Sequence, residues 1–120
     1  MGSEMCIRDS VMRLSPLDTL MSSIHGGMAF AHFFAGRYDE ASSFAEQALR
    51  ERPDFHMGLR VAAASNALAG RPSQAQKAMA RLRHIDPKLR VSDLKDVTPV
   101  RRPEYLARYE EGLRRAGLPE

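Results

Sequence analysis

Apolar residues fall three and four apart along most of this chain, which is the pattern of amphipathic helices. The clearest stretch is 39–50, where Ala41, Phe44, Ala45, Ala48 and Leu49 stand at i, i+3, i+4, i+7 and i+8. Ala75, Ala78, Met79 and Leu82 draw the same stripe over 73–85. Helices are predicted at 19–35, 39–50, 55–69, 73–85 and 103–116. Gly36 and Gly70 follow two of them, in the position that accepts a left-handed backbone, while Pro53-Asp54 and Asp86-Pro87 break the others. Asp18 or Ser15 can cap the first helix and Asp54 the third; Gly26-Gly27 weaken the first half of 19–35. Leu89 to Arg102 carries Ser92, Pro99 and a double arginine, and reads as a connector with at most one helical turn near 92–95. Pro103 suits a first helical position, Tyr105, Leu106, Tyr109 and Leu113 give the last helix an apolar face, and Gly117 stops it.

These elements recur. Ala35-Gly36-Arg37 reappears as Ala69-Gly70-Arg71, and Ala29, Ala41 and Pro53 reappear as Ala63, Ala75 and Pro87, an interval of 34 residues that belongs to a two-helix repeat. Residues 19–53 and 54–87 are then two copies of one hairpin. Such units stack side by side, each burying its apolar face on its neighbours, and present a curved surface rather than a catalytic cleft. Arg13-Leu14, Leu17 and Asp18 echo Arg81-Leu82, Ile85 and Asp86 at twice the interval, so 11–18 read as the tail of a preceding unit. Residues 88–102 connect to a capping segment, 103–120, whose helix turns Arg108, Glu110, Glu111 and Arg115 to water. About three units are usually needed for such a stack. With little more than two, the first helix is expected to be exposed and the chain to self-associate.

Composition changes this picture little. Met1 to Ser10 resembles, residue for residue, the translation of a transposase sequencing adapter, and is set aside as non-native. Cys6, the single cysteine, goes with it, so no disulfide, thiol nucleophile or thiolate ligand enters the reading. Removing Arg8, Glu4 and Asp9 takes the 18 basic and 15 acidic residues to 17 and 13, a balance of +4. No apolar run approaches the about 20 residues that span a bilayer. Much of the positive charge stands near helix ends, at Arg50, Arg52, Arg81, Arg83, Arg114 and Arg115, where the helix dipole favours it.

Met28-Ala29, His32, Gly36, Tyr38, Ala41, Ala48 and Pro53, followed by Ala62-Ala63, Gly70, Ala75, Met79 and Pro87, resemble the tetratricopeptide repeat. Asn66 where an aromatic is usual, Pro72 in place of tyrosine and Leu82 in place of alanine are departures in the second unit. The resemblance implies an all-α, right-handed solenoid of helical hairpins with a C-terminal capping helix. Its first helices line a concave groove, onto which Phe30, Phe33, Met57, Arg60, Ala64 and Ala67 would project to meet a protein or peptide. The carboxylate clamp that some members build from lysines and asparagines is missing, because the matching positions are Gly26, Phe30, Arg60 and Ala64. A narrower resemblance, carried by 13–18, 31–41 and 102–120, is to the repeat region of bacterial proteins that place a class III nucleotide cyclase or a winged-helix domain ahead of tetratricopeptide repeats. It implies a cytoplasmic C-terminal piece of a signalling protein, ending naturally at Glu120 and lacking the cyclase's own catalytic residues.

Other constellations yield to plainer readings. His25 and His32 share a helical face but bring no carboxylate or thiolate with them in sequence, a poor start for a metal site, and His32 reads as a packed core residue. Phe30, Phe33 and Phe34 make the end of the first helix apolar all round; Phe34 is expected to pack on a preceding unit. Arg81, Arg83, His84, Lys88, Arg90, Arg101 and Arg102 could face an anion, yet no groove-entering motif accompanies them. No catalytic, cofactor-binding or metal-ligating set is assigned. The expected function is non-catalytic protein interaction or regulation, through a protein partner or a sibling domain, without a membrane. A regulatory role for a nucleotide cyclase and nucleic-acid contact through the basic surface are the alternatives.

Overall fold

The computed structural model describes residues 16–97 and 102–120. Among them stand α1 (Pro16–Phe34), α2 (Tyr38–Glu51), α3 (His56–Leu68), α4 (Pro72–Ile85), a 3-10 turn (Val91–Asp93) that runs into α5 (Leu94–Val97), and α6 (Pro103–Ala116). No strand occurs among the described residues. The all-helical class is therefore established, and all five helices expected from the sequence are present with ends displaced by a turn or less.

The two hairpins are closed by the same hydrogen bonds, one repeat apart. Gly36 N–H donates to the Phe33 carbonyl at 3.0 Å and Arg37 N–H to His32 at 2.9 Å; Gly70 N–H donates to Ala67 at 3.3 Å and Arg71 N–H to Asn66 at 2.8 Å. Both glycines are left-handed, at φ +80° and +81°, a region costly for a residue with a Cβ. Arg37 and Arg71 then start α2 and α4 through bonds from Ala41 and Ala75 to their carbonyls, at 2.9 and 3.1 Å. The unit ends match too: Arg52 N–H meets Ala48 at 2.8 Å and Asp86 N–H meets Leu82 at 2.8 Å. The interval seen in sequence is thus an interval in backbone geometry.

Within the first hairpin, His25, His32 and Phe33 of α1 meet Glu51, Phe44 and Tyr38 of α2 in reverse order, so the helices run antiparallel. α3 is the centre of the molecule. Gly58, Leu59 and residues 61–66 are all buried, because glycine, alanine and serine side chains let α2, α4 and α6 approach on several sides at once. Arg60 lies beside Tyr109 and Ala64 against Gly112, so α6 runs in the same direction as α3. Leu89, Val91 and Leu94 of the connector are buried, and Val91 N–H donates to Pro119 O at 2.8 Å, tying the tail back to it.

Three local expectations are corrected. Asp54 does not cap α3: Phe55 holds that position without a side-chain bond, and the Asp54 carboxylate instead accepts from Arg81 Nη2 at 2.6 Å. Asp18 lies inside α1, so it is no cap; Ser15 and the rest of 11–15 fall outside the described residues. α1 runs unbroken through Gly26-Gly27, and a Cβ on Gly26 would stand 2.6 Å from Phe55 Cε2, so the missing side chain seats that ring. Arg108 is half-buried rather than fully turned to water, and its Nη1 donates to the Phe34 carbonyl at 3.3 Å.

Candidate interaction surfaces

The six residues expected to line the concave groove do gather on α1 and α3, but α6 lies over most of them. Phe33 and Ala64 are fully buried, while Phe30, Met57, Arg60 and Ala67 are half-buried. Phe30 and Phe33 meet the Tyr109 ring at centroid distances of 5.3 and 5.6 Å. Ala64 is so close to Gly112 that a Cβ there would stand 2.9 Å from the Ala64 Cβ. Phe34 lies against Tyr105 with ring centroids 5.3 Å apart, so the C-terminal helix covers one side of it. The groove expected to be open to a partner is filled by this chain's own last helix.

That seat carries an electrostatic cost. Tyr109 is wholly buried and its hydroxyl has no hydrogen-bond partner; Arg60 Nε, beside it, has none either. Burial pushes the Tyr109 phenol up to about 12, with the charge of Arg60 pulling the other way. Water-free surroundings penalise the phenolate more than one adjacent cation relieves it.

An open groove lies on the opposite side, between α2 and α4, where successive second helices diverge. Its volume is about 660 Å³. Leu49, Leu59, Ala62 and Ala78 form an apolar floor, with Glu46 on one bank and Lys77 and Arg81 on the other. The Arg71–Asp39 ion pair, 2.6 Å, bridges the two units near one end, and Arg81–Asp54, also 2.6 Å, closes the second unit near the other. The sequence placed Leu49 and Ala78 on apolar stripes without separating core from groove. The signal for a groove was that both stripes are wider than one hairpin can bury.

Asn66, a departure from the repeat pattern, is a buried junction beneath the same groove. Its Oδ1 accepts from Ser42 Oγ at 3.1 Å and Arg71 Nε at 2.8 Å, and its Nδ2 donates to Ala62 O at 2.9 Å. A polar linkage between units stands where His32 of the first unit stacks on Phe44 at 5.2 Å. His25 does find a carboxylate: its Nδ1 lies 2.7 Å from Glu51 Oε1, an arrangement invisible in sequence because the partners are 26 residues apart. Among the described residues no group of three or more His, Cys, Asp or Glu side chains could hold a metal ion, and no helix is long and apolar enough to cross a membrane.

Two members of the basic cluster have partners. Arg81 is paired with Asp54, and Arg102 lies 3.9 Å from Glu104 and over the Tyr105 ring; Arg101 is outside the described residues. Glu111 is held below the usual carboxylate range by hydrogen bonds from Arg115 and Arg114. No family model, no curated protein and no solved structure matches this chain.

Proposed function

We propose that this chain is a non-catalytic protein-interaction or regulatory module of tetratricopeptide type, forming part of a larger bacterial signalling protein. The observation that carries the reading is the pair of identical hydrogen-bonded turns at Gly36 and Gly70, since stacked copies of one hairpin act through shape. A right-handed solenoid, a cytoplasmic setting and a protein or sibling-domain partner belong to the same proposal. So does the absence of catalysis by these residues.

The surface assigned to the partner is the groove between α2 and α4, because α6 already fills the concave side. Its floor suits two or three apolar side chains of an amphipathic segment, and Lys77 suits a carboxylate beside them. Arg81 is less free, being engaged by Asp54. The test is affinity capture with the full-length parent protein, comparing the natural sequence with Ala78→Arg, which fills the floor from a half-exposed helical position. Loss of a reproducible partner in the variant, with helicity unchanged, supports the reading. Equal capture by both places the contact elsewhere.

A further inference from the structure

Resting on the groove assignment above, we propose that the occupant of the α2–α4 groove is an amphipathic α-helix of about three turns, basic along the flank that faces α2 and acidic along the flank that faces α4. Exposed Glu46 of α2 and exposed Lys77 of α4 line opposite banks of the apolar floor. Neither takes part in an ion pair or hydrogen bond among the described residues. The chain joins its own banks at the polar end, where Arg71 meets Asp39 at 2.6 Å. Further along, two opposite charges are left apart with Leu49, Leu59, Ala62 and Ala78 between them. A helix laid there answers both, offering a cation to Glu46 and an anion to Lys77 while its apolar face covers the floor. A partner with one sign of charge on both flanks would meet a like charge on one bank.

Hydrogen bonding selects a helix over an extended segment. The side chains of Leu49, Leu59, Ala62 and Ala78 hold no donor or acceptor, so an extended occupant would bury peptide groups against them with nothing to pair with. A helix brings its own backbone pairs. The polar groups of the groove gather at the other end, where Asp39, Ser43 and Gln74 line it. There Ser42 and Arg71 are already engaged by Asn66. Glu46 and Gln74 line both the polar and the apolar part, so the groove is continuous. From Asp39 to Leu49 it follows α2 for about 15 Å, the length of a helix of about three turns.

The full chain is titrated, by fluorescence anisotropy, with labelled helix-stabilised peptides that share one leucine face. One peptide has lysines along one flank and glutamates along the other, a second has lysines on both, and a third has glutamates on both. Either hand of the mixed pattern can match the banks by running up or down the groove, so one mixed peptide suffices. It should bind about three- to tenfold tighter than either single-sign peptide. Glu46→Lys should weaken it about three- to tenfold and tighten the glutamate-flanked peptide, Lys77→Glu should weaken it equally and tighten the lysine-flanked one, and circular dichroism should be unchanged in both. A proline at the centre of the mixed peptide should abolish binding. Equal binding of the three peptides, or indifference to both charge reversals, overturns the proposal, and undiminished binding of the proline peptide overturns the helical form. No binding by any peptide, while capture by the parent protein still depends on Ala78, overturns the helix and leaves the groove reading in place. Capture indifferent to Ala78→Arg removes the groove reading and the helix with it.

Discussion

At the scale of single residues, unsatisfied and satisfied polar groups lie side by side in α3. Ser65 is fully buried and its hydroxyl has no partner; the residue one repeat earlier is Ala31. Ser65→Ala should raise stability by about 1 kcal/mol, through lost desolvation cost and better helix propensity, read as a higher urea midpoint. Asn66→Ala should do the reverse, by about 2 kcal/mol, because it leaves the Ser42 hydroxyl and Arg71 Nε without their shared acceptor. Tyr109 offers a test by pH. Its folded value, about 12, exceeds the ordinary 10.0, so its contribution is intact below pH 10 and is lost as pH rises toward 12, by up to about 3 kcal/mol. Tyr109→Phe should lose none of this in the same window. At neutral pH it should be as stable as the natural chain or about 1 kcal/mol more so, since it discards a buried hydroxyl without a partner.

At the scale of elements, glycine has opposite meanings in α1 and α6. A Cβ on Gly112 would lie 2.9 Å from Ala64 Cβ and 3.1 Å from its Cα and carbonyl oxygen, and backbone cannot step aside as a flexible side chain can. Gly112→Ala should therefore part α3 from α6 and cost about 1–3 kcal/mol. Gly27→Ala, facing open space in mid-helix, should stabilise the monomer by about 1 kcal/mol. Thermal melts of the two variants at low protein concentration check the signs. Sequence shows why the hairpins form: the stripes, the glycines at φ +80° and the prolines are local signals, and each one led to the right helix. What it hid was the route of the last helix. Tyr105, Tyr109 and Leu113 announce an apolar face without saying which face receives it, and Gly112 gives no hint of Ala64, 48 residues earlier in the chain. The six groove residues were consequently legible as one surface, but not as a covered one. The α2–α4 groove was missed because half-buried residues such as Leu49 and Ala78 look like core in any periodicity count.

At the scale of the molecule, the question is whether α6 is an end cap or part of the core. A cap on a linear stack touches its nearest neighbour, and the remaining units keep their own stability in its absence. Here α6 reaches both units: Tyr109 packs on Phe30 and Phe33 of the first and lies beside Arg60 of the second. Tyr109 and Leu113 are among the largest fully buried side chains, each worth about 1.5–3 kcal/mol on burial, against a total stability of about 5–15 kcal/mol for a domain. A chain stopped after Asp96 should therefore lose cooperative unfolding altogether and bind hydrophobic dyes, while keeping partial helicity. Adding a peptide of residues 103–120 in trans should restore a single urea transition in a saturable manner, and the same peptide with Tyr109→Ala should not. If the shortened chain instead unfolds cooperatively without the peptide, α6 is an ordinary cap, and the two hairpins hold each other without it.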